Sequence, residues 1–521
     1  MAQHAPAPKV HTKPLMRRQH FLIVAAALGA WVGYANPWAQ FPLAVLALPA
    51  GLAALGLDAE SPWIAFKRAW VAGTLAALGC LYWVYWPVQR YGGVHWLMAL
   101  PLPVLLSMVM AVYFGLFGMV AQVAGKRLPP LQALPCRGLA WTLMELAMAT
   151  LLSGFPWLTL SVAFVRWPIT TQLAAYIGGH GLSGLLALIA AGAMRARRSR
   201  SCAVVALATA LLVCGLGWLR IRSYSESTPP RTVAIIQGNI DQGLKWNPAY
   251  QQRTVAKYIS LSRSVLAENP DLIVWPETAM PFYFQDNTAL RTPVLDFLHA
   301  TNASLVLGSP AYEAKPTGPP TLFNRVYLLT GSDSTPRWYD KEHLVPFGEY
   351  MPFADWLPLQ KLVNGVGDFA PGRNEAKFIA GDFVLGTLIC YEAIFAGLAQ
   401  DRVTQGANLL VNTSNDAWFG KTSAPLQHLQ LAALRAIEQG RWMVRGTNTG
   451  ISAFIDPLGR IRLAGPQFAD VAAVGQVHLR TEPTVFHRLF WVLIAAAGVL
   501  AALFAYLVIR NVRQQQHEAS R

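Results

Sequence analysis

The chain has 521 residues, 54% of them hydrophobic and only 13% charged, with 42 Lys+Arg against 27 Asp+Glu and a formal net charge of +15. Ordinary soluble proteins carry about 25% charged residues, so the composition argues against a wholly soluble chain, and the length admits a membrane bundle plus one globular domain. A nucleic-acid surface is set aside as well, because the basic residues lie in short segments between apolar spans rather than on one patch.

Residues 1–20 form a basic tail with Lys9, Lys13, Arg17 and Arg18. Seven apolar segments follow, at 21–35, 40–57, 63–87, 94–124, 138–160, 170–193 and 201–219. A spanning helix needs about 20 apolar residues, so the first two are short. The first also has the basic-then-apolar order of a signal peptide, but no small-residue cleavage site follows it and it is read as a span. Lys67 and Arg68, then Lys126, Arg127 and Arg137, then Arg195, Arg197, Arg198 and Arg200 occupy alternate loops, whereas the loops between carry only Arg90 and Arg166. By the positive-inside rule the basic loops are cytoplasmic. Seven crossings of 21–219 then put 220–487 outside the cytoplasm, and a last span at 488–509 returns the basic tail 510–521 to it.

Among the spans Glu145 stands out as an intramembrane charge, either a polar contact in a lipid cavity or, the preferred reading, an interhelical hydrogen bond. A transporter needs more buried ionisable groups than this, so transport is disfavoured.

In 220–487 strand candidates run at Val233–Gln237, Leu272–Trp275, Ser304–Gly308, Val326–Leu329, Phe383–Ile389, Leu409–Asn412, Met443–Gly446 and Ile451–Ile455, and helical periodicity marks 249–267 and 426–439. Alternating strands and helices imply an α/β layered domain with buried sheets. The sequence displays no internal repeat. The fold class is thus a polytopic α-helical bundle of about eight spans carrying an α/β domain.

Five cysteines are an odd number, four of them (Cys80, Cys136, Cys202, Cys214) in or beside spans, so a disulfide framework is not expected. Cys390 stands alone in the soluble part, at the end of the apolar run Phe383–Ile389. Glu277 ends a second run, Leu272-Ile-Val-Trp-Pro-Glu277, and Lys341 follows Trp338-Tyr-Asp. A thiol attacks a carbonyl only as the thiolate, which is scarce at an ordinary pKa of about 8.5. Glu277 could take its proton if burial raises the basicity of the carboxylate, and Lys341 with backbone N–H groups after Cys390 could stabilise the oxyanion. No histidine is clearly placed to help; the side to which His343 points depends on whether its segment is extended. Each residue also has an ordinary reading: Cys390 as a buried spectator, Glu277 as a helix cap, Lys341 and Glu349 as surface groups.

Their order and contexts decide between these. The motifs Gln237-Gly-Asn-Ile, Trp275-Pro-Glu277-Thr, Tyr339-x-Lys341-x-His-Leu-Val-Pro-Phe-Gly-Glu349-Tyr, Cys390-Tyr-Glu392, Ser414-Asn-Asp-Ala-Trp-Phe-Gly420 and Gln427-His428-Leu-Gln430 resemble the nitrilase superfamily, and over nearly the whole chain its membrane branch, the apolipoprotein N-acyltransferases. The resemblance implies a four-layer α-β-β-α sandwich and a Glu277–Lys341–Cys390 triad, with Glu349 orienting the lysine or the thiol. It also implies that Cys390 takes an acyl chain from a glycerophospholipid, typically phosphatidylethanolamine, and passes it to the free α-amino group of a diacylglyceryl-cysteine at a lipoprotein N-terminus. Trp246, Tyr391 and Glu392 match positions that bind substrate or shape the fold around the nucleophile. The implied location is the bacterial inner membrane, with the catalytic domain on the periplasmic side and the protein a monomer. A membrane-tethered amidase using the same triad is the alternative; a non-catalytic receptor is disfavoured by the intact triad.

No metal-ligand spacing or nucleotide fingerprint occurs, so no cofactor is implied. Met280–Phe284 and Met351–Pro358 are apolar for loops, which makes Phe282 and Phe284 candidates for a lipid portal, with core packing as the ordinary reading. Asp416 reads as an Asx turn after a strand, Asn412 and Asn415 are left open between turn and pocket, and His428 and Gln430 read as packing or capping residues.

Overall fold

The computed structural model describes residues 13–286, 288–331, 336–352, 368–373 and 377–519. The N-terminal part is helical: α1 (Lys13–Gly33), α2 (Ala47–Leu57), α3 (Pro62–Leu81), α4 (Tyr85–Arg90), α5 (Trp96–Ala99), α6 (Pro101–Arg127), α7 (Pro130–Thr150), α8 (Ala174–Met194) and α9 (Arg200–Ser223). Five helical stretches among the described residues are long and apolar enough to cross a membrane: Pro62–Arg90, Trp96–Arg127, Ala174–Met194, Arg200–Ser223 and the C-terminal Val485–Gln514. These five do not confirm the expected count of about eight spans. The 40–57 segment yields only the short apolar stretch Pro42–Leu57. Helix α1 opens on Lys13, Arg17 and Arg18, and α7 carries Arg137 and Glu145 and ends at Thr150, after which 3-10 turns replace the rest of the expected 138–160 span.

Small residues let the bundle close, as is usual where no hydrophobic effect drives helix association. A Cβ on Gly118 of α6 would come within 2.4 Å of Ala69 in α3. Glu145 is satisfied between elements: Trp141 Nε1 donates to it at 2.8 Å, the Leu160 N–H at 2.7 Å, and His180 Nδ1 lies 3.1 Å away. That matches the hydrogen-bond reading.

The rest is a sandwich of two six-stranded sheets. The strands are β1 (Pro230–Gln237), β2 (Leu272–Val274), β3 (Ser304–Glu313), β4 (Thr321–Leu329), β5 (Arg337–Asp340), β6 (Lys377–Ala380), β7 (Phe383–Ile389), β8 (Leu409–Ser414), β9 (Met443–Thr447), β10 (Ala453–Ile455), β11 (Ile461–Ala464) and β12 (Val471–His478). The first sheet runs β12-β1-β2-β3-β4-β5 and the second β6-β7-β8-β9-β10-β11. Read in that direction both sheets show the same pairing: antiparallel, parallel, parallel, antiparallel, antiparallel. The fold thus contains a structural repeat that the sequence hides.

Between the sheets lies a core of Val233, Ile235, Val274, Val306, Leu385, Ile389, Val411, Val444 and Phe454. Helices α10 (Pro248–Arg263) and α11 (Thr292–His299) cover the first sheet through Val255, Ile259, Val294 and Phe297. Helices α12 (Ala396–Thr404) and α13 (Ala424–Gln439) cover the second. The order is α-β-β-α, as the resemblance implies. Nearly every residue of α13 is buried, because its second face meets the membrane bundle; a helix buried all round is enclosed by protein on both sides. Gln427 accepts from Trp83 Nε1 at 3.1 Å and Trp157 Nε1 at 2.7 Å and donates to the carbonyls of Ala35 and Cys80. Gln430 donates to Gln40 at 2.7 Å. Helix α8 breaks at Gly178 (φ 74°), and the N–H of Gly179 donates to Glu438 of α13 at 2.8 Å. Sandwich and bundle share one continuous core, and α14 (Val485–Ala519) packs back on α6 and α7 through Phe504, Leu507 and Val508.

Candidate active site

Glu277 lies on the turn after β2, with Thr278 behind it at φ 46°. The turn folds back on β3, where Gly308 donates to the Pro276 carbonyl at 3.1 Å and accepts from the Met280 N–H at 3.0 Å. A Cβ on Gly308 would stand 2.4 Å from the Thr278 nitrogen and 2.7 Å from the Glu277 Cα, so only glycine admits this approach. Lys341 follows β5 directly, its N–H bonded to the Asn324 carbonyl at 2.9 Å. Cys390 follows β7 and has φ 50°, a left-handed conformation that costs a non-glycine residue about 1–3 kcal/mol and is characteristic of functional turns.

The structure brings four of the expected residues together. Lys341, only 1% exposed, lies 2.8 Å from Glu349 Oε2 and 3.9 Å from Glu277 Oε1. Asn324 of β4 bridges the two carboxylates, donating to Glu277 at 2.7 Å and to Glu349 at 3.0 Å. Glu349 is held by the Val345 N–H at 2.8 Å. The strongest charges acting on the Cys390 thiol are those of Glu277 and Lys341.

Burial sets the electrostatics. It pushes the Glu277 carboxyl above its ordinary value, against the pull of Lys341. Burial opposes the Lys341 ammonium, yet Glu349 and Glu277 outweigh it and hold the group firmly protonated. Burial, then the charge of Glu277, drives the Cys390 thiol up, with Lys341 acting the other way. The resting site therefore holds a neutral thiol beside a carboxylate of raised basicity and a fixed cation. That is the arrangement for proton transfer followed by nucleophilic attack.

Glu392 ties the cysteine turn to the lysine turn. It accepts from the Ile389 N–H at 2.7 Å, Tyr339 Oη at 2.7 Å, and the N–H groups of Glu342 and His343 at 2.8 and 3.1 Å. Arg402 braces the same hub through Tyr339 Oη at 2.6 Å. Tyr391 turns the other way and donates to the Gly154 carbonyl at 2.9 Å, joining the nucleophile's turn to the membrane bundle. His343 packs against Phe395 with ring centroids 3.9 Å apart and planes tilted by 35°. Trp246 is half-buried in the turn before α10.

Two expectations need correction. Phe284 is fully buried, against Tyr327 in the core between the first sheet and its helices, and Phe282 packs on the same cluster. Phe284 lines no portal, because this loop folds inward where Ser309 Oγ donates to the Phe282 carbonyl at 2.6 Å; Phe282 itself is half-buried. Of the second portal loop only Met351 and Pro352 lie among the described residues. Asp416 is not a turn residue in function: it is buried, 2.7 Å from Arg445 and 3.1 Å from His428 Nδ1. His428 Nε2 faces the Cys390 carbonyl at 3.0 Å, while Arg445 also donates to Asn412, which donates to the Leu388 carbonyl at 2.9 Å. Asn415 donates to Gln242 at 2.8 Å. Burial opposes the Asp416 charge, but Arg445 and His428 override it and hold the carboxyl far below its usual range. Cys390, Asp416 and His428 have metal-ligand atoms within 4.8 Å of one another. Arg445 already supplies the cation there, and His428 spends Nε2 on a carbonyl, so these residues do not fit a metal.

Sequence reasoning missed Asn324, Lys245 and Arg445. Asn324 left one signal, an amide beside the apolar run Val326–Leu329. Lys245 is 1% exposed and donates to Thr278 Oγ1 at 2.6 Å; its only signal was its place beside Trp246.

Residues 232–481 match the carbon-nitrogen hydrolase family, and residues 26–192 match the apolipoprotein N-acyltransferase N-terminal domain. The apolipoprotein N-acyltransferase of Geobacter metallireducens is 36% identical over 503 residues, covering 94% of this chain and 95% of its own. That of Pseudomonas syringae pv. tomato is 33% identical over 499 residues, covering 94% and 96%. Among solved structures, Saccharomyces cerevisiae Nit3, a member of the nitrilase superfamily, aligns with a TM-score of 0.38 at 17% identity, over 49% of this chain and 92% of its own. At full-length coverage and this identity, the chain belongs to the apolipoprotein N-acyltransferase family.

Proposed function

We propose that this chain moves an acyl chain from a glycerophospholipid to the free α-amino group of a diacylglyceryl-cysteine at a lipoprotein N-terminus, through a thioester on Cys390. Glu277 takes the thiol proton as sulfur attacks the ester carbonyl, and Lys341 holds the oxyanion charge. The ester C–O bond breaks, the leaving alkoxide takes the proton from Glu277, and the lysophospholipid departs. The lipoprotein amine then attacks the thioester, the C–N bond forms, the C–S bond breaks, and Glu277 carries the amine proton to the departing thiolate. Glu349 keeps Lys341 aimed during both steps, and Trp246 contributes to substrate binding. Phosphatidylethanolamine is the proposed donor.

The supporting observation is the junction at the nucleophile: Tyr391, next to Cys390, is bonded to Gly154 of the membrane bundle. A hydrolase of small soluble amides has no use for a nucleophile held against a bundle. We further assign 21–219 to the bundle, 220–487 to the catalytic domain on the periplasmic face of the inner membrane, 488–509 to the last span, and 1–20 and 510–521 to cytoplasmic tails, acting as a monomer. The distribution of Lys and Arg between loops supports this orientation.

The test is to incubate purified protein with acyl-labelled phospholipid in detergent beside Cys390→Ala, look for hydroxylamine-sensitive label on the protein, and chase with a diacylated lipopeptide bearing a free amine. Label passing to the peptide is expected. Release only as free fatty acid would point to a hydrolase, and no protein-bound label would remove the mechanism.

A further inference from the structure

The Asp241–Trp246 turn after β1 points Lys245 inward, with its N–H bonded to the Asp241 carbonyl at 3.0 Å. Its Nζ donates to Thr278 Oγ1 at 2.6 Å, and among the described residues no carboxylate lies within 4.0 Å of it. Burying an ammonium this completely costs several kcal/mol unless it is compensated, and a methionine would fill the same space. Thr278 is the residue whose left-handed conformation turns Glu277 into the site. One oxygen of that carboxylate, Oε2, is buried with no hydrogen-bond partner among the described residues.

We propose that Lys245 is a positioning residue for the general base: it fixes Thr278 behind Glu277 and places a second positive charge beside the carboxylate. The inference rests on Glu277 acting as the base. Burial pushes the Lys245 ammonium down to about 7, and the charge of Glu277 pulls it back up; Lys245 in turn lowers Glu277. The other groups facing Glu277 are Lys341, Glu349 and Asn324, and those facing the Cys390 thiol are Glu277, Lys341, Asp416 and Ser414. Removing Lys245 takes away a charge that favours ionised Glu277. A structural lysine and a positioning lysine therefore differ in what they do to pH dependence.

The experiment compares wild type, Lys245→Met, Lys245→Arg and Thr278→Val in the full chain. Thioester formation from labelled phospholipid is followed against pH. So is alkylation of Cys390 by iodoacetamide, read by mass spectrometry of its peptide. In Lys245→Met we expect on the order of a tenfold fall in kcat at neutral pH with little change in KM, and an acid limb moved to higher pH. Lys245→Arg should restore part of the limb, and Thr278→Val should lose rate with the limb nearly in place. A limb that stays put in Lys245→Met, whether or not its rate falls, would overturn the proposal. Alkylation needs no substrate: if wild type forms no thioester, the acyl-transfer function fails, while the alkylation limb still decides for or against Lys245.

Discussion

On the first-sheet side of Cys390, Glu277 is buried with its carboxyl raised and its ion partner Lys341 at 3.9 Å. On the second-sheet side, Asp416 is buried with its carboxyl lowered and Arg445 at 2.7 Å. Both carboxylates are lost to water, so burial alone does not separate them. What differs is how completely the charge is answered. Asp416 has Arg445, His428 and Ser414 at hydrogen-bond distance, whereas among the described residues Glu277 has one amide donor, a lysine already committed to Glu349, and one oxygen with no partner. An under-answered carboxylate can accept a proton; a fully answered one serves as a strut. The fold places the first beside the thiol and uses the second to hold the backbone carbonyl of Cys390 through His428.

The largest expected break in this contrast is kinetic. Glu277→Gln should cut thioester formation by about 10²–10⁴-fold and leave the thermal midpoint at neutral pH equal or higher. A group with a raised folded pKa contributes stability below its unfolded value of about 4.3, and loses it as pH rises through the folded value. The midpoints of wild type and Glu277→Gln should therefore converge as the pH is lowered, measured by thermal unfolding in detergent. A gap that widens toward acid would contradict the raised carboxyl.

Asp416→Asn should do the opposite. It leaves Arg445 buried without its partner, which costs about 3–5 kcal/mol. The stabilisation that Asp416 supplies is present above the unfolded carboxylate pKa of about 3.9 and disappears only as pH falls through the lowered folded value. The mutant should thus melt earlier at every pH from 5 to 8, with a constant gap. Where folded protein can be recovered, its rate loss should follow the lost fold rather than appear as a moved acid limb.

Phe284→Ala tests whether the loop after Glu277 is core or portal. Its ring is fully buried against Tyr327, so the cost should be about 3–5 kcal/mol of stability. Loss of rate should be equal for a phospholipid and for a soluble thioester donor. A selective loss on phospholipid would restore the portal.

The sequence disclosed the elements that carry this contrast better than the contrast itself. Apolar runs located β1, β2, β3, β7, β8 and β9, because interior parallel strands are buried on both faces. The strands β5, β6, β11 and β12 escaped: β11 is exposed along its length and interrupted by Arg462, and the apolar start of β12 is only half-buried and is followed by Gly475 and Gln476. Glu277, Lys341 and Cys390 were visible from their motifs, and Glu349 from the same motif as Lys341. Asn324 and Arg445 were not, since a polar residue in a buried strand gains meaning only from its partner in space. Phe284 misled for a related reason: an apolar loop looks the same in sequence whether it folds onto lipid or onto its own sheet. The span count is not confirmed where polar side chains such as Glu145 are answered inside the bundle and lower a helix's apolar character without exposing it.

The smallest expected effect tests how the two carboxylate walls reach the membrane. Tyr391 donates to Gly154, whose φ of 82° puts it in the turn after α7, and Phe155 beside it stacks on the Tyr391 ring at 6.4 Å. Tyr391→Phe keeps the ring and removes only the hydroxyl, so stability should fall by about 1 kcal/mol, a small shift of midpoint. If the hydrogen bond merely packs the sandwich on the bundle, alkylation of Cys390 and thioester formation should change together and slightly. If it aligns the nucleophile with lipid entering from the bundle, KM for phospholipid should rise while alkylation by iodoacetamide is unchanged. The second outcome is expected, because Glu392 already anchors the other side of the turn with four donors, leaving Tyr391 to set its relation to the membrane rather than its shape.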